Sequence, residues 1–189
     1  MTMINGLPAH VLLVHLVVVL IPVSAVLVVL VAVWPAARRR LDVLTAALAA
    51  AALVAVPITT DAGEWLERRV PRTPLIRAHT QLGDTMFPWA IGLTVIALAV
   101  LGRERVARRQ AARGSEPSAV EIRDGGRHQR ESRRDRLVTA VVGVLAVVVA
   151  VGSVVTVYRI GDSGARAAWT GQFSQQAQPR TGGAAPGGG

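Results

Sequence analysis

The chain has 189 residues, is 51% hydrophobic but only 4% aromatic, and carries a formal net charge of +9. An apolar share of that kind fits a membrane protein better than a soluble domain. With no cysteine, disulfides, iron–sulfur clusters and thiolate zinc sites are excluded as chemistry of this chain. All 21 basic residues are arginine, which with the abundant Ala, Val and Gly reads as a compositional bias of the genome rather than a functional signal.

A bilayer core of about 30 Å takes about 20 helical residues. The first candidate span opens on "INGLPAHVLLVHL" and runs apolar from 11 to 34. Pro8 suits a first helical position, with Asn5 or Gly6 just before it. No basic residue precedes this run and it exceeds a cleaved leader's apolar core, so it is not read as a signal peptide. Residues 41–60 form an alanine-rich second span and residues 86–101 a third, comfortable if its helix starts near Thr80. Residues 137–158, rich in Val, form the fourth. No run alternates in polarity as a barrel strand does. The reading is all-α: a polytopic membrane protein of four transmembrane helices, about 8–34, 41–60, 80–102 and 137–159, in an up-down bundle. Residues 1–173 form that domain, and the Gln/Gly/Ala/Pro tail 174–189 is expected to be disordered.

Arginine in short loops marks the cytoplasmic side. The first connection holds Arg38, Arg39 and Arg40 against Asp42, and the third, 103–136, holds eleven arginines and six acids. The second connection balances Arg68, Arg69, Arg72 and Arg77 with Asp61, Glu64, Glu67 and Asp84. Connections one and three are therefore placed inside, and both termini outside a bacterial cell (inner) membrane. The third connection is polar, mixed in charge and without stacking aromatics, so lipid headgroups rather than nucleic acid are its expected contacts. His128 within it reads as solvated. Trp34, Trp65 and Trp89 lie near predicted helix ends, where indole suits the headgroup layer. "GDSGARAAW" is expected to form a short interfacial helix capped by Asp162 or Ser163.

This topology gathers polar groups at the outer side: His10 and His15, Asp61 and Glu64, His79 and Asp84, Arg159 and Asp162. Ionisable groups in or near a membrane usually face a bundle interior and mark a site. His10 and His15 are five residues apart and point about 140° apart, so both cannot face one interior. His10, in the first turn, is explained by water. His15, about 10 Å below Pro8 along the axis, is the costly residue, with His79 or an acid of the second connection as its expected partner. Pro22 should kink the first helix, and Pro57 and Pro88 should bend or end the second and third. Gly143, Gly152 and an alanine face at Ala47, Ala51 and Ala55 read as close-packing contacts.

Three motifs, "LPAHVLLVHL", "AHTQLGDTMF" and "VYRIGDSGARAAW", resemble in order and position the bacterial membrane-protein family catalogued as domain of unknown function 2231. The resemblance covers about residues 4–170. It implies a four-helix membrane domain without an assigned activity, with some relatives joined to Rieske-type or other electron-transfer modules. That family often has histidine in the slot held here by Asp162, so this chain lacks one candidate ligand.

Three functions compete. A redox subunit would hold b-type haem through His15 and His79, with Arg77 and Arg159 on the propionates and an electron-transfer partner. A metal site or proton or ion relay would use His15, His79, Asp61 and Asp84. A non-catalytic scaffold or accessory subunit would use the histidines to bond helix ends. No catalytic residue is assigned: phosphate-binding Gly loops, HExxH and nucleophile elbows are absent, and "GDSG" at 161–164 lacks the protease context.

Overall fold

The computed structural model describes residues 3, 4, 6–113 and 125–172, with side chains of the last helix from Arg133 onward. A minimal hairpin, β1 (Met3–Ile4) with β2 (Leu7–Pro8), comes first and turns on Gly6 at φ 80°. That backbone conformation costs glycine little. Helices follow: α1 (Ala9–Val33), α2 (Pro35–Glu67), α3 (Pro74–Asp84), α4 (Met86–Arg113) and α5 (Gly125–Trp169). Four helical stretches are long and apolar enough to cross a membrane, namely α1, α2, α3 with α4, and α5 from Arg133. The all-helical expectation and the four apolar spans agree with this architecture.

Several boundaries differ from those expected. Pro8 is extended at ψ 128° and precedes α1 instead of opening it. Only Trp34 separates α1 from α2, so Arg38–Arg40 are helical and not a connection. Pro35 opens α2 where its missing N–H costs no bond. Arg38 turns back to cap the preceding helix, donating from Nε to the Val31 carbonyl (2.8 Å) and from Nη2 to the Ala32 carbonyl (2.6 Å). At the other end α2 runs through Pro57 to Glu67, absorbing "DAGEWLE".

The expected 80–102 helix is two helices. Thr73 Oγ1 caps α3 by accepting from the Ile76 N–H at 3.2 Å. The ladder stops at Thr85, where Pro88 has no N–H for the carbonyl four residues back. By contrast, α5 is unbroken to Trp169. Neither Asp162 nor Ser163 caps a new helix. Asp162 pairs with Arg166 at 3.0 Å one turn on, and Ser163 donates to the Ile160 carbonyl at 2.8 Å. The expected connection 103–136 shrinks, because α4 reaches Arg113 and α5 begins at Gly125. The His128 side chain and the tail lie outside what is described.

Packing relies on small residues. α1 lies against α2 and α5, α2 also against α4, and α3 against α5. The core joins Ala25, Ala49, Ala52, Ala90, Ala97 and Ala146 to Ile21, Val28 and Leu93. Ala46, Ala49, Ala52 and Ala55 are buried, whereas Ala47 and Ala51 are exposed. The buried stripe of α2 runs Asp42, Thr45, Ala49, Ala52, Val56 and Thr59 in alternating steps of three and four, and a strict step of four slides off it. Trp89 packs against α5. Its indole lies where a Cβ on Gly152 of α5 would be, so that helix must have glycine at this point. Thr94 ties α4 to α2, donating to the Ala49 carbonyl at 3.0 Å and sharing the Ala90 carbonyl of its own turn at 2.9 Å.

Candidate functional site

The start of α1, the last turns of α2, the short α3 and the far part of α5 meet at one end. The Nδ1 of His10 lies 3.0 Å from the Thr59 carbonyl on α2. Its ring rests on Gly63, one turn further, where an added Cβ would stand 3.0 Å from Cε1 and Nδ1. The Nδ1 of His79 lies 3.0 Å from Ser163 Oγ on α5. Its ring rests on Gly164, where an added Cβ would stand 2.9 Å from Cε1. The two imidazoles are themselves neighbours, 6.4 Å between ring centres and 78° between planes, an edge-to-face arrangement.

The tautomers follow from these partners. A carbonyl oxygen only accepts, so Nδ1 of His10 carries a hydrogen. Ser163 spends its hydroxyl hydrogen on the Ile160 carbonyl, so its oxygen accepts from Nδ1–H of His79. Both Nδ1 atoms are donors, which leaves each Nε2 with a lone pair when the rings are neutral. His79 stands on α3, within the Pro74–Arg113 stretch that is long and apolar enough to cross a membrane.

His15 is not part of this pair. It is exposed, and its Nδ1 bonds the Val11 carbonyl of its own helix at 2.6 Å. The expected partnership of His15 with His79 is replaced by one of His10 with His79. The physical reason is the 140° between positions 10 and 15: once α1 turns His10 toward α2 and α3, His15 faces out. Asp61 and Asp84 are exposed as well, and among the described residues no three His, Asp or Glu side chains gather around one point. The set His15, His79, Asp61 and Asp84 is therefore not assembled. Arg77 and Arg159 are exposed, and neither forms a carboxylate pair among the described residues.

Sequence reasoning missed Gly63, Gly164 and the accepting role of Ser163. An isolated glycine in a helical pattern was the available signal, because it weakens a helix and so usually has a packing reason. It also missed a charged cluster at the opposite end. The Asp42 side chain is 4% exposed and takes Arg108 Nη2 at 3.2 Å, while Arg108 Nε reaches Glu104 at 3.1 Å. Arg108 Nη2 also donates to the Arg39 carbonyl at 2.9 Å.

No protein-family model, curated protein or solved structure matches this chain.

Proposed function

We propose that the chain is a four-span membrane protein of the bacterial cell membrane, an up-down bundle with both termini outside, serving as a non-catalytic scaffold or accessory subunit. Its kinship with the domain-of-unknown-function 2231 family is part of this proposal. One observation carries the scaffold reading. Both histidines at the α3 end spend Nδ1 on a different helix, His10 joining α1 to α2 and His79 joining α3 to α5. Each ring also fills a glycine notch on the helix it bonds. These are clasps between helix ends. The positive-inside pattern supports the orientation. The test is an absorption spectrum and metal content of the protein purified from its membrane, with His10→Ala and His79→Ala beside it. Loss of heat resistance with no change in spectrum or metal content supports the scaffold. A native haem band or a stoichiometric metal that either variant removes overturns it.

A second reading rests on the free Nε2 atoms. The His10 and His79 ring centres are 6.4 Å apart. Their Nδ1–H bonds to a carbonyl and a hydroxyl are the outer partners that fix ligating imidazoles. On this reading His10 and His79, which stand together, would be the residues to hold a b-type haem or a metal, in place of the expected His15 and His79. A haem would supply one-electron transfer, and the exposed Arg77 and Arg159 are the cations on offer to its propionates. Soret absorbance on haem supplementation that survives His15→Ala and disappears in His10→Ala is its expected signature.

A further inference from the structure

At the end away from the histidines, Arg38 of α2 and Arg103 of α4 line one small pocket with Thr139 of α5. Its remaining walls are apolar, from Ala32, Val100 and Val142. The space is about 10 Å³, room for about one oxygen-sized group. Neither arginine pairs with a carboxylate among the described residues, since Asp42 and Glu104 are engaged by Arg108. Arg38 spends two donors on α1 carbonyls and has others to spare. Arg103 reaches Thr139 Oγ1 at 3.4 Å, and Thr139 has already given its hydrogen to the Asp135 carbonyl at 2.8 Å. The two arginines thus leave donors around the pocket, Thr139 offers only an accepting oxygen, and no lining residue carries a negative charge.

The α1 and α5 helices that frame this pocket also form an open groove of about 390 Å³. Its lining is wholly apolar and includes Val26, Val29, Val151 and Val154. An oxygen-sized cationic pocket at a helix end and an apolar groove on the same helix pair match the two halves of an anionic phospholipid. Basic pockets between membrane helices recognise such headgroups.

We infer that Arg38 and Arg103 hold a phosphate oxygen of an anionic phospholipid whose acyl chain lies along the α1–α5 groove. This rests on the membrane reading but not on the role given to the histidines. The occupant is a lipid phosphate, and not a free one, because the groove supplies a place for a chain that free phosphate lacks.

The test uses the full chain in phosphatidylcholine vesicles with trace spin-labelled phosphatidylglycerol or spin-labelled phosphatidylcholine. The fraction of each label with restricted motion is measured. The expected result is a relative affinity for phosphatidylglycerol about three- to five-fold higher at low salt. Arg103→Gln should bring that ratio close to one, and the exposed Arg105→Gln should leave it unchanged. Arg38→Gln removes the cap on α1 as well, so it is read only alongside a helix-content spectrum. A ratio near one in the unaltered protein overturns the inference, as does a preference that survives Arg103→Gln. Loss of the preference in millimolar inorganic phosphate at constant ionic strength would assign the pocket to soluble phosphate and also overturn it. If neither label is restricted, the membrane reading itself fails. Restriction without preference refutes the pocket alone.

Discussion

At one end of the molecule two imidazoles stand edge to face, bonded to a carbonyl and a hydroxyl, and no histidine–carboxylate pair forms among the described residues. At the other, Asp42, Glu104 and Arg108 form a charged cluster beside two further arginines. The first end is held by directional bonds and ring packing, so it should respond to removal of a ring or crowding of its notch. The second depends on full charges and should respond to partner removal and to salt.

The largest expected effect breaks the charged end. Arg108→Met leaves the Asp42 carboxylate buried without its cation and should cost about 2–3 kcal/mol of unfolding free energy in micelles. At the histidine end His79→Ala loses the Ser163 bond and the ring packing on Gly164, for about 1–2 kcal/mol. Gly164→Ala is gentler, about 1 kcal/mol, because its Cβ meets the edge of a side chain that can shift. That variant should also move the ring resonances of His79, which distinguishes displacement from a general loss of stability.

The smallest expected effect is that of His15→Ala, within about 0.5 kcal/mol, since the side chain is exposed and bonds only its own helix. A loss as large as that of His79→Ala would erase the distinction between the two α1 histidines.

The apolar runs made the spans legible, because length and hydropathy are local properties of sequence. Boundaries were less so. Trp34–Pro35 makes a nearly loopless turn because Arg38 reaches back to cap α1, and that contact forms only once the helices have met. The site was half legible. Geometry alone showed that His10 and His15 could not both face inward, and His79 was on the right side. Which of the two turned inward was decided by α2, through the Thr59 carbonyl and the Gly63 notch, 49 or more residues away in sequence. Depth in the apolar run was a poor guide, since His15 satisfies its Nδ1 on its own Val11 carbonyl. The charged cluster is hidden in the sequence because Arg108 falls in the stretch 103–136 read as a connection. The Glu104–Arg108 spacing of one helical turn was the clue that α4 continues.

The pairing of His10 with His79 is tested most directly by magnetic resonance with ring-labelled histidine. Four histidines are few enough to assign by single substitution. A through-space signal between the rings of His10 and His79, absent in His10→Ala, is the predicted result. A signal joining His15 to His79 instead would contradict the account.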